Sequence, residues 1–283
     1  MTAQPRTPDP IRGATVLITG GARGMGELFA RRAVAGGARA IALWDVDEQT
    51  ASALAARLSA SGVDVRAYRV DISRQEEIVA GLARMREELG EPDVLVNNAG
   101  IVRGGVFWDN DPERDIELTM RVNTLAAMWL TREVLPAMIS DTSRPKGILN
   151  IASAAGTLAN PNMAVYAASK WAMIGWSDSV RLELRARGHR HIGVTTFCPS
   201  YISTGMFAGA RGPLLTPIMT PQQATRAAWR GLVRGTPMVL RPWTVKLALA
   251  LRGVLPTRVW DVVADKVFHV YSSMDHFTGR SGS

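Results

Sequence analysis

Short apolar runs closed by glycine or an acidic residue alternate along the chain with longer stretches of helical spacing. Ala14-Thr15-Val16-Leu17-Ile18 runs into Thr19-Gly20-Gly21-Ala22-Arg23-Gly24-Met25-Gly26, which predicts a strand, a tight turn and a helix to about Gly36. The pattern returns as a strand at Ala40-Ile41-Ala42-Leu43-Trp44 ending at Asp45, and a helix from about Glu48 to Ser61. A strand near 63–70 ends before Asp71, a helix covers about 74–89, and Asp93-Val94-Leu95-Val96 leads into Asn97-Asn98-Ala99-Gly100. Further strands are expected near 147–151, 191–197 and 238–240, with long helices over about 112–138 and 164–187. Strands alternating with helices imply right-handed βαβ units. The expected fold is therefore α/β: a single-domain, Rossmann-type, doubly wound and mostly parallel sheet of about seven strands, with helices on both faces. A leader over 1–10 is expected to be disordered, 11–241 to form the catalytic domain, and 242–283 to add a helical C-terminal extension.

Composition narrows the function. The chain is 47% hydrophobic and 20% charged, as a soluble protein with a sizeable core requires. A single cysteine, Cys198, excludes a disulfide framework and a cysteine-based metal site, and fits a reducing, cytoplasmic setting. The four histidines show no metal-ligand spacing, so no metal is expected. Residues 1–10 have no apolar segment of the signal-peptide kind. The net charge of +8 is dispersed rather than gathered in a stripe, which argues against nucleic-acid binding.

Only four lysines occur, and one of them, Lys170, stands one helical turn after Tyr166, with Ser153 thirteen residues upstream of the tyrosine. Residues four apart share a helix face, so ammonium and phenol can meet there. A neighbouring cation is expected to favour the phenolate and make proton abstraction feasible. Gly20, Gly24 and Gly26 between a strand and a helix start form a candidate phosphate cradle. Asp45 at the end of the second strand would accept the hydroxyls of an adenosine ribose and repel a 2′-phosphate, favouring NAD over NADP; Arg23 pulls the other way.

In this order, TGGARGMG, Asp71, NNAG, the asparagine of RVNTLA, Ser153, YAASK and Cys198-Pro199-Ser200-Tyr201-Ile202-Ser203-Thr204 resemble the short-chain dehydrogenase/reductase family over nearly the whole chain. The family carries glycine where this chain has Ser200. Leu43-Trp44-Asp45, Leu135-Pro136-Ala137-Met138 and Thr204-Gly205-Met206-Phe207 look most like the retinol and 17β-hydroxysteroid dehydrogenase branch.

The resemblance implies cofactor contacts from the glycine loop (Gly20, Arg23, Gly24, Met25, Gly26), Asp45, Asp71, Ile72, Asn98, Ala99, Gly100, Pro199, Ile202 and Thr204, together with Tyr166 and Lys170. It implies a catalytic set of Asn123, Ser153, Tyr166 and Lys170. Tyr166 would take the hydroxyl proton, Lys170 would hold the nicotinamide ribose, Ser153 would fix the substrate oxygen, and Asn123 would anchor a relay water. The substrate would be a small lipophilic secondary or allylic alcohol, or the matching carbonyl. Ser153, Tyr166, Met206 and Phe207 would touch it, and the segments 154–163 and 205–221 beyond the strand ends would set substrate choice. An NADPH-dependent carbonyl reductase and a catalytically silent NAD-binding scaffold are the rival readings. The tail from Pro242 is expected to pack on the domain or a second subunit, with peripheral membrane contact as the alternative, and a homodimer or homotetramer is expected. Trp171 and Trp176 are candidates for an oligomer contact.

Overall fold

The structure, a computed structural model, describes residues 9–203, 216–272 and 274. Seven strands form one parallel sheet: β1 (Thr15–Thr19), β2 (Ala40–Asp45), β3 (Asp64–Arg69), β4 (Val94–Asn97), β5 (Lys146–Ile151), β6 (Ile192–Pro199) and β7 (Met238–Arg241). Their order is β3-β2-β1-β4-β5-β6-β7, so the winding reverses between β1 and β4 and opens a crevice at the carboxyl ends of those two strands. This bears out the doubly wound fold expected from the strand and helix alternation.

Both faces of the sheet are covered, and the strands read accordingly. Val16 and Ile18 pack with Phe29 of α1 (Gly24–Ala35), Leu54 of α2 (Glu48–Ser59) and Leu232 of α7 (Pro221–Val233). Leu17, between them, packs with Leu82 of α3 (Gln75–Leu89), Val134 of α5 (Ala126–Ser140) and Leu184 of α6 (Ala164–Ala186). Alternation of period two thus assigns each strand residue to one of two cores, and a strand buried on both sides appears in the sequence as an uninterrupted apolar run.

Limits of the expected strands and helices agree to within two residues, except in three places, and α7 (Pro221–Val233) is not among those expected. The helix expected over 112–138 starts as wide π turns, Pro112–Glu117 and Arg121–Leu125, separated by the short α4 (Leu118–Met120). Periodicity misses this because a π turn adds one residue without changing which residue types are apolar. In the tail, the expected helical extension is two helices, α8 (Trp243–Val254) and α9 (Thr257–Val262), and a π turn over Val263–Val267. The end of the expected leader is tied down: Asp9 Oδ1 accepts from the Ile11 amide at 2.9 Å, and the carbonyl of buried Pro10 accepts from Arg144 at 3.2 Å.

Candidate active site

The glycine turn fills the crevice floor at the end of β1. Gly20 has φ +62°, and a Cβ there would stand 2.9 Å from the Ala99 Cα. At Gly26 a Cβ would stand 1.9 Å from the Gly20 carbonyl oxygen, so α1 can begin this close to β1 only with glycine there. No side chain caps the α1 N-terminus at Arg23, which leaves its first amides free to face an anion. A cradle that a single Cβ would fill, under an uncapped helix start, fits a dinucleotide pyrophosphate.

Short polar side chains fix the walls of that crevice. Thr19 Oγ1 accepts from the Asn98 and Ala99 amides at 3.0 and 3.1 Å, while Asn98 Nδ2 donates to the Thr19 and Gly20 carbonyls at 2.9 and 3.1 Å. Asp45 Oδ2 accepts from the Ala22 amide at 3.0 Å and Oδ1 from the Asp47 amide at 3.1 Å, which aims the carboxylate at the corner beside the loop. Arg23 points outward to Asp47 at 3.8 Å in a solvent-exposed pair. Asp71 Oδ1 accepts from the Ser73 amide and hydroxyl at 2.9 and 2.7 Å, and buried Ile72 lines a small cavity with Thr19, Ala99 and Asn123. Met25, in the first turn of α1, packs half-buried onto the core.

Asn123, Ser153, Tyr166 and Lys170 are all buried and come together past the crevice. A Cβ on Gly100 would lie 3.1 Å from Asn123 Oδ1 and 3.6 Å from Lys170 Nζ, so both polar ends flank one backbone atom. The π turn over Arg121–Leu125 carries Asn123 there. Its Oδ1 accepts from the Ile101 amide at 2.8 Å, and its Nδ2 donates to the Ile101 carbonyl at 2.9 Å and to Ser169 Oγ at 3.1 Å. Lys170 Nζ donates to the Ile151 carbonyl at 2.9 Å and lies 5.8 Å from the centre of the Tyr166 ring.

Burial dominates the electrostatics of Tyr166 and Lys170. Burial pushes the Tyr166 phenol up to about 12; a hydrogen bond with Ser153 pulls it back and the nearby Tyr201 adds to the rise. Burial is the largest influence on it. Burial also brings Lys170 down to about 8, with Cys198 acting the other way. Spacing on a helix brings the two groups together, but the cost of burying charge outweighs their mutual attraction when each is desolvated separately.

Beyond Ser153 lies an apolar pocket of about 840 Å³, counting its open mouth. One wall is the expected segment after Ser153, including Ala155, Leu158 and Met163; the opposite wall, which sequence reasoning missed, is the tail, with Val245, Ala248 and Phe268. Met274 also packs against Met163, Tyr166 and Tyr201. The i, i+3 spacing of Val245 and Ala248 marks a buried helix face but not what it faces. Thr204, Met206 and Phe207 lie outside the described residues. Pro199 is buried at the end of β6, where the Ser200 amide donates to the Arg241 carbonyl at 2.8 Å, so serine fits the place of the family glycine. Ile202 is buried in a parallel bridge with Met219. Trp176 packs, partly buried, against the Cys198 cluster, and Trp171 is exposed.

Residues 14–213 match the family described as short chain dehydrogenase. Estradiol 17-beta-dehydrogenase 11 of Rattus norvegicus is 32% identical over 264 residues, covering 93% of this chain and 87% of its own. Epidermal retinol dehydrogenase 2 of Mus musculus is 33% identical over 275 residues, covering 95% and 87%. Among solved structures, a short chain dehydrogenase/reductase from Burkholderia phymatum in complex with NAD superposes with a TM-score of 0.76 at 23% identity, over 86% of this chain and 94% of its own.

Proposed function

From the premise that the chain belongs to the short-chain dehydrogenase family, as an oxidoreductase of the retinol and 17β-hydroxysteroid dehydrogenase branch, we propose its reaction. It moves hydride between NAD(H) and a lipophilic secondary or allylic alcohol or the matching carbonyl, with Tyr166 as the acid–base group. The observation that carries this is the Ser153–Tyr166 hydrogen bond, with Ser153 lining the apolar pocket. The bound dinucleotide supplies the hydride acceptor or donor.

The protein's residues do the rest. Gly20, Gly24, Gly26 and the free amides of α1 would hold the pyrophosphate, Asp45 the adenosine ribose, and Asp71 and Ile72 the adenine. Asn98 to Gly100 would line the adenosine side, with Ile202 and Thr204 at the carboxamide. Ser153 would donate to the substrate oxygen while Tyr166 takes or returns its proton. Lys170, held now by the Ile151 carbonyl, would turn its remaining protons to the ribose hydroxyls and place positive charge beside the phenol. Asn123 would act through the backbone at Ile101 and so hold a water for proton relay. Desolvation by the pocket walls strengthens each of these interactions.

NAD over NADP rests on Asp45, whose carboxylate is aimed by two amides, while Arg23 is engaged with Asp47. Leu182, exposed on α6, supports a contact in a homodimer or homotetramer, and the lone buried Cys198 supports a cytoplasmic, reducing setting. A second reading concerns the tail: Trp243, Val254, Val259 and Val262 are exposed beside Lys246, Arg258 and Lys266, which supports peripheral contact with an anionic lipid surface. No helix among the described residues is long and apolar enough to cross a membrane.

The test is dinucleotide reduction with retinoids, steroids and medium-chain secondary alcohols, using NAD and NADP in parallel. Turnover of at least one lipophilic alcohol, faster with NAD, is expected. Binding of dinucleotide without turnover of any of them would favour the silent scaffold.

A further inference from the structure

Helix α8 is fastened to the catalytic side of the molecule near its start by Val245, which packs with Ala152, Met173 and Cys198, and near its end by Arg252. Arg252 Nη1 donates to the Thr157 carbonyl at 2.6 Å, and the guanidinium carbon stacks 4.6 Å from the centre of the Trp171 ring. Thr157 ends the tight turn that begins after Ser153, and Trp171 directly follows Lys170 on α6. That turn and α6 are in close register, since a Cβ on Gly156 would meet the Lys170 carbonyl oxygen at 2.6 Å. Val245, Ala248 and Arg252 are spaced i, i+3 and i+7, so they share one face of α8. The first two line the pocket and the third closes on the opposite wall. Leu158, next to Thr157, packs with Trp260 of α9 in the same seam.

We propose that Arg252 is a positioning residue, a latch that holds α8 across the substrate pocket and so sets how tightly a bulky lipophilic alcohol is gripped. It touches neither cofactor nor reacting atoms; it acts through α8. The guanidinium suits this place because one planar group both donates to a carbonyl and lies on an indole face, which an ammonium does less well. With the latch released, the second half of α8 would keep only apolar contacts, Ala248 and Leu251 with Leu158 and Trp260, while Val245 still anchors its start. This proposal rests on the alcohol dehydrogenase reading above, and it predicts a split between substrates by size, since a small alcohol bound near Ser153 and Tyr166 does not need the α8 wall.

The experiment compares KM and kcat for 2-butanol and for a steroid alcohol in the native protein, Arg252→Ala, Arg252→Lys, Trp171→Leu and the Arg252→Ala/Trp171→Leu double variant. Arg252→Ala is expected to raise KM for the steroid about tenfold, the loss of roughly one good contact. Its kcat, and both constants for 2-butanol, should stay within about twofold of native. Arg252→Lys should recover part of the KM, and the double variant should be no worse than Arg252→Ala, because the two residues form one contact. Amide hydrogen exchange over residues 243–254 should speed up in Arg252→Ala whether or not any alcohol is turned over. Equal losses on the small and the bulky alcohol, or unchanged exchange in α8, would overturn the latch. Failure of the native protein to oxidise either alcohol would overturn the substrate reading and the specificity role with it, and unaltered exchange would show separately that no latch exists.

Discussion

The two ends of this active site are built from different materials. The dinucleotide crevice is made of backbone held in place by short polar side chains: Thr19, Asn98 and Asp45 each tie one loop to another. The pocket past Ser153 is walled by apolar side chains from segments some ninety residues apart, such as Leu158 and Ala248, joined at their edge by Arg252. A hydrogen-bonded cradle tolerates almost no change because each donor and acceptor has a fixed direction. An apolar wall conserves volume rather than geometry, so it can vary and retune what it binds. Tyr166 and Ser153 lie where the two meet.

This contrast can be broken most forcefully at Gly26. Replacing it with Val drives a side chain into the Gly20 carbonyl, and dinucleotide affinity should fall about 100-fold or more, measured by quenching of tryptophan fluorescence on titration with NADH. Affinity within threefold of native would mean the loop does not form the cradle. A change of similar chemistry in the pocket, Leu158→Ala, should leave NADH affinity untouched while lowering stability by about 2–4 kcal/mol, read by urea denaturation.

Next comes Asp45. Asp45→Ser removes the charge that opposes a 2′-phosphate, and the NAD over NADP preference in kcat/KM should fall about tenfold. An unchanged ratio would show that another group, with Arg23 the first to examine, sets the preference.

Smaller effects follow from Lys170. Its pKa is lowered by burial from 10.5 to about 8, so between those values the unfolded chain binds more protons than the folded one. Stability attributable to Lys170 is therefore diminished below pH 8 and regained as pH rises to 10.5. Lys170→Met should abolish that regain, visible as a flatter dependence of Tm on pH from 8 to 10 than the native protein shows. Tyr166, raised from 10.0 to about 12, stays protonated when folded but begins to ionise in the unfolded chain as pH nears 10, which opposes the regain; native and Lys170→Met share this contribution, so their difference reports Lys170.

How much of this was legible beforehand follows the same divide. The seven strands could be read because parallel strands buried on both faces are apolar without interruption, and the cradle because its glycines sit in a fixed order between strand and helix. The meeting of Ser153, Tyr166 and Lys170 was readable from helical spacing and the family pattern. Three things were not. The π turn that carries Asn123 leaves no mark in periodicity. The direction of the Tyr166 shift depends on burial, which a list of neighbours in sequence does not give. The tail's role as pocket wall needed the return of α8 to Thr157 and Trp171, a contact spanning 95 residues between Arg252 and Thr157. Such long-range packing is decided by shape rather than by residue type.

The account's central claim is that the Tyr166 phenol, hydrogen-bonded to the pocket residue Ser153, moves the substrate proton. Tyr166→Phe tests it most directly, because it removes one oxygen and preserves the packing against Met163 and Tyr201. With NADH affinity equal to native, the account predicts a loss of about 1,000-fold in kcat for alcohol oxidation. A variant that binds the dinucleotide normally and keeps more than about a tenth of native kcat would contradict it.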